Sequence, residues 1–111
     1  MNDLKSIQAQ IKDIITKLSK SLSNEDLACG WREQSREAML KFFKTMFEDL
    51  EKNPPRIKIE YMTIARGLDH WGIDGGRLEE QAIKISRQVS LYEKKHQGVF
   101  VKLINFIKRK D

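Results

Sequence analysis

The chain has a single cysteine, Cys29. No disulfide can close within one molecule, so a reducing compartment is the expectation. No histidine stands beside Cys29, and Arg32 is its nearest cation, which gives little reason to expect an activated thiol. Proline is limited to two residues and glycine to six, a scarcity that suits an ordered helical protein rather than a disordered or fibrous one. Long apolar runs are missing. Lys or Glu interrupts each apolar stretch well short of the roughly 20 residues needed to span a bilayer. Met1-Asn2-Asp3 lacks the basic-then-apolar layout of a secretory leader. A soluble, cytoplasmic protein with no stable membrane insertion is expected. At 111 residues the length suits one domain, 1–111, with one modest core and no large enclosed pocket.

What the sequence does have is helical periodicity. Leu4, Ile7, Ile11, Ile14 and Leu18 recur at spacings of three and four, predicting a helix from about Asp3 to Ser21 that could also serve as a short coiled-coil seam. Ser23-Asn24 reads as a cap, with Glu25 and Asp26 at the positive end of the next dipole. A second helix is expected from about Asn24 to Lys52, bent near Gly30. Trp31, Met39, Phe43, Met46 and Leu50 lie along one side of it, widened by Phe42 and Phe47. Asn53-Pro54-Pro55 ends it. Ile57, Tyr61, Ile64, Ala65 and Leu68 predict a third helix over about Ile57 to Leu68, although the alternation Ile57, Ile59, Tyr61 would also suit a strand. A glycine-rich loop follows. A fourth helix is expected from about Arg77 to His96, stopped at Gly98, and a fifth from about Val99 to Lys110. The fold expected is an all-α compact bundle of four to five helices, centred on Trp31, Phe43, Met46, Ile64, Ile85 and Leu103.

Charge is unevenly spread. Residues 1–55 carry nine Lys and Arg against nine Asp and Glu, whereas residues 81–110 carry eight against the one carboxylate of Glu93. Such asymmetry suggests one surface that meets something acidic. At about 100° per residue, Leu78, Ala82, Ile85, Val89 and Tyr92 form the apolar row of the fourth helix. Arg77, Lys84, Arg87, Lys94 and Lys95 fall almost opposite, diluted at the start by Glu79 and Glu80. That basic face reads either as a solvated exterior or as a track for phosphates or an acidic protein. Ile83 and Leu91 are apolar but lie off the core row, and they are candidates for apolar contact with another chain.

The loop Asp69-His70-Trp71-Gly72-Ile73-Asp74-Gly75-Gly76 invites a catalytic or metal reading. Asp69, His70 and Asp74 could ligate, but Trp71 and Ile73 stand where an EF-hand needs oxygen ligands. Gly75-Gly76 before a helix could expose amides to an anion, yet the Lys-Ser/Thr of a P-loop is lacking. A plainer reading has Asp74 capping the helix, Trp71 and Ile73 plugging into the core, and the glycines turning the chain. A helix-turn-helix, with Arg77, Gln81 and Lys84 as readers, needs a much tighter turn than this loop. The basic end, Lys108-Arg109-Lys110, complements a helix dipole, and would give only weak adhesion to a membrane.

The residues therefore point away from an enzyme, with no cofactor and no metal expected. They point toward a small helical interaction module, a subunit, adaptor or regulator, with a protein partner. The alternative is a nucleic-acid backbone binder or a small subunit of a nucleoprotein complex, using the basic face. Homo-oligomerisation stays open. An inhibitor that mimics nucleic acid is excluded, because it would be acidic.

Overall fold

The row of isoleucines and leucines that starts the chain folds as expected into helix α1, Asp3–Leu18, with Ile7, Ile11, Ile14 and Leu18 buried. The structure, a computed structural model, describes the backbone of residues 3–109 and the side chains of residues 3–96. The helices that follow are α2 (Asn24–Ala28), α3 (Glu33–Leu50), α4 (Ile59–Met62), α5 (Ile64–His70) and α6 (Arg77–Arg109), with no strand among the described residues. α1 ends at Leu18 rather than Ser21. The Leu18 carbonyl, an orphan acceptor at a helix end, takes a 2.6 Å hydrogen bond from the Arg36 guanidinium.

The expected second helix is two helices. Ser23 caps α2 through a reciprocal pair in which the Asp26 amide donates to Ser23 Oγ and the Ser23 amide donates to the Asp26 carboxylate. The chain then breaks at Gly30, whose φ of +104° only glycine adopts easily. A Cβ there would lie 2.1 Å from the Gly72 carbonyl oxygen. The Asp74 amide donates to the Cys29 carbonyl across the same junction at 2.8 Å. A backbone-to-backbone approach between distant loops therefore ends α2 and turns Trp31 into the core. α3 follows and buries Met39, Phe43, Met46 and Leu50.

The expected third helix is also split. Thr63, at φ −129° and ψ 36°, separates α4 from α5. Tyr61, Ile64 and Leu68 are buried, but Ala65 is exposed and Ile57 is only half-buried ahead of α4, so the periodic face is shorter than the pattern suggests. The Ile64 amide, freed by the break, donates to the buried Ser86 hydroxyl of α6 at 3.4 Å.

The largest departure is at Gly98. A stop there and a separate fifth helix were expected; instead α6 runs unbroken through it. A lone glycine inside a helix costs only about 1 kcal/mol, less than nucleating a new helix. At ~1.5 Å per residue the 33 residues of α6 account for most of the longest dimension of the molecule, 59 Å. Leu103, expected in the core, lies outside the described side chains. Trp31, Phe43, Met46, Ile64 and Ile85 are all buried as expected. α1 packs on α3 and α6, and α4 and α5 pack on α6, so over residues 77–96 one side of α6 is covered and the opposite side meets solvent.

At the end of α3 a buried carboxylate joins three segments. Asp49 accepts a hydrogen bond from the Tyr61 hydroxyl of α4, pairs with Lys52 at 3.0 Å and Lys58 at 3.5 Å, and its carbonyl accepts from the Arg56 amide at 2.9 Å.

Candidate docking face on α6

Leu78, Ala82, Ile85, Ser86 and Val89 of α6 are buried. The same periodicity drives Arg77, Lys84, Arg87, Lys94 and Lys95 outward, and all five are exposed. The structure does not treat them alike. Lys95 Nζ sits 3.3 Å from the Asp3 carboxylate at the start of α1. Arg77, Lys84, Arg87 and Lys94 form no ion pair among the described residues. Glu79, one of the two diluting carboxylates, is turned aside: its Oε2 accepts from the Gly75 amide at 2.9 Å. That bond supplies the helix-start contact expected of Asp74. Glu80 stays exposed within one turn of both Arg77 and Lys84, and Glu93 adjoins Lys94, but neither carboxylate forms an ion pair among the described residues.

The edges of this face are fixed by neighbours. On one side Gln81 Nε2 donates to Asp13 at 2.8 Å and Gln81 Oε1 accepts from Lys17 at 2.9 Å. The Gln81 amide and then Lys17, whose Nζ lies 3.1 Å from the carboxylate, hold the Asp13 carboxyl below its usual range. On the other side Ile83 is partly buried beside Met62, Thr63 and Ala65. Its own chain covers it, so of the two apolar candidates only Leu91 projects freely, 61% exposed. Leu91 lies four residues after Arg87 and three before Lys94, which puts all three on one patch of helix surface.

A cleft of about 260 Å³ opens between α1 and α6 at the margin of the patch, lined by Asp3, Ser6, Ile7, Gln88, Leu91, Tyr92 and Lys95. Gln88 carries no sequence signal, because glutamine at the edge of an apolar row belongs to no motif. Its Oε1 is the only buried side-chain oxygen or nitrogen without a hydrogen-bond partner among the described residues. Tyr92 stacks on His96 with ring centres 4.1 Å apart.

The glycine-rich loop assembles no comparable arrangement. Asp69, His70 and Asp74 are all exposed. Among the described residues no three His, Cys, Asp or Glu side chains converge on one point. Ile73 plugs into the core as expected, but Trp71 does not, being 36% exposed and edge-on to His70. α5 and α6 are separated by residues 71–76, longer than a helix-turn-helix connection. No helix among the described residues is long and apolar enough to cross a membrane. No family model, curated protein or solved structure matches the chain at a significant level.

Proposed function

We propose that the chain is a small interaction module that docks an acidic protein partner through the solvent face of α6. One observation carries the reading: exposed Leu91 sits among cations, Lys84, Arg87 and Lys94, that form no ion pair among the described residues. Free cations favour an acidic counterpart. A leucine in their midst favours a protein surface over a phosphate backbone, because phosphate contacts need charge and not apolar area. Lys95, tied to Asp3, takes a lesser part than its sequence position suggests.

The test is capture from a lysate of the source cells on immobilised full-length protein. Three forms are compared: wild type, Lys84→Glu/Arg87→Glu, and Leu91→Asp. A partner held by the wild type and lost by both variants is the expected result. Capture that is indifferent to all three changes removes the reading. DNA or RNA of mixed sequence, retained at low salt, weakened by charge reversal and unaffected by Leu91→Asp, would hand the face to the nucleic-acid alternative. A smaller size in light scattering for Leu91→Asp would assign it to self-association.

A further inference from the structure

We infer that the cleft between α6 and the α4–α5 junction receives a carboxylate side chain, glutamate or aspartate, of the acidic partner. This inference rests on the proposed docking role of α6 and names what that face grips. The cleft, of about 250 Å³, is walled by Met62, Thr63 and Ala65 on one side and by Ile83, Arg87 and Ser90 of α6 on the other. Its charge sets it apart. Arg87 is exposed and forms no ion pair among the described residues, and no carboxylate lines the cleft. Three other clefts of similar size each hold at least one carboxylate, from Asp3, from Glu60, and from Glu25 and Asp26. Glu93 follows Ser90 by one turn but is not in the lining.

The donors match one carboxylate. Thr63, Ser86 and Ser90 bring hydroxyls to the cleft. Thr63 Oγ1 already donates to the Ile59 carbonyl at 3.1 Å, and the buried Ser86 hydroxyl already accepts from the Ile64 amide. The hydroxyl of half-buried Ser90 has no hydrogen-bond partner among the described residues. Ser90 stands three residues after Arg87, so the two are neighbours on the helix surface, about 5–6 Å apart at Cβ. A planar guanidinium takes both oxygens of a carboxylate, and a hydroxyl can donate to one of them. Met62, Ala65 and Ile83 flank these groups with apolar area, where such bonds are stronger than in open water. One guanidinium balances one carboxylate, whereas a phosphate monoester brings close to two charges. Leu91 adjoins Ser90 and lies four residues after Arg87. A partner with its carboxylate in the cleft therefore crosses Arg87 to reach the exposed leucine.

The probe is capped tetraglutamate, titrated by NMR into the full-length protein, with capped tetraglutamine and inorganic phosphate as comparisons. Tetraglutamate should move the signals of Thr63, Ala65, Ser90 and the Arg87 Nε–H, and tetraglutamine should leave them in place. Ser90→Ala should weaken binding about tenfold, the range of one hydrogen bond to a charged group. Arg87→Lys, which keeps the charge and loses the fork, should do the same. Lys84→Gln, outside the cleft, should weaken it only about twofold. Wild-type affinity in both Ser90→Ala and Arg87→Lys, or shifts that bypass Thr63 and Ser90, overturns the cleft while leaving the docking face standing. Phosphate that moves the same signals at lower concentration than tetraglutamate overturns the carboxylate assignment. Tetraglutamate that moves no signal on α6 removes the acidic-partner reading beneath it.

Discussion

Asp49 offers the sharpest test of how the fold is held. Its carboxyl is nearly inaccessible, yet its pKa is pulled down from 3.8 to about 2. The chief cause is the Tyr61 hydroxyl donating to it, followed by Lys52 and then Lys58, and together these outweigh the cost of burial. A folded-state pKa below the unfolded one means the contribution is present above pH 3.8 and disappears as pH falls toward 2. At about 1.4 kcal/mol per pH unit, that difference corresponds to about 2 kcal/mol of stability at neutral pH. Asp49→Asn keeps the shape and removes the charge. Urea unfolding of both proteins from pH 7 to pH 2, followed by circular dichroism, isolates the term from the other carboxylates. The wild type should exceed the variant by about 2 kcal/mol at pH 7, and the gap should close between pH 4 and pH 2. A gap that holds constant over that range would refute the electrostatic account. The same bond pushes the Tyr61 phenol above its usual 10, with burial as the larger cause. Its share of stability is therefore full below pH 10 and fades above it, a second window for the same experiment.

Three further outcomes concern glycines. Gly30→Ala places a methyl against the Gly72 carbonyl at positive φ, so it should lose several kcal/mol in urea unfolding. Gly67→Ala meets nothing within 4 Å and lies inside α5, so it should gain about 0.5–1 kcal/mol; the opposite order would contradict the loop contact. Gly98 lies within α6, so Gly98→Ala should raise helical ellipticity and stability by up to about 1 kcal/mol, whereas a loss would restore the helix stop suggested by the sequence.

Most of the buried rows could be read directly, because Ile7, Ile11, Ile14 and Leu18, or Leu78, Ala82, Ile85 and Val89, repeat at helical spacing without interruption. Breaks were harder. Gly30 ends α2 because of Gly72, forty-two residues away, and Thr63 carries no breaker signal of its own. Gly98 shows the converse: a local stop signal loses when helical residues flank it on both sides. The basic side of α6 was visible from angles alone. The tie between Lys95 and Asp3 was not, since it depends on where the first turn of α1 lands. Asp49 did leave a trace. It stands three residues after Met46, on the buried side of α3, where a carboxylate needs partners. Gln88 left none, because an unpaired amide oxygen is a property of packing rather than of sequence.

The charges and the apolar groups of α6 do different physical work. Lys84 and Arg87 are separated by about 4.5 Å of helix rise and Arg87 and Lys94 by about 10.5 Å, comparable with a Debye length of about 8 Å in physiological salt. Their fields therefore overlap enough to steer an acidic surface toward the helix, and they weaken steeply as salt rises. Charges exposed to that degree add little to the strength of a finished contact. Residence time has to come from desolvated groups, and on this face those are Leu91 and the cleft beside it. The Asp3–Lys95 pair neutralises the cation nearest that cleft, between α1 and α6, while Arg87 and Lys94 stay unpaired and hydrated on the exposed side. Seven residues after Lys84, Leu91 lies within a turn of Arg87 and lines the same cleft, so in the proposed docking role charge and apolar area would meet a partner from one patch of the helix.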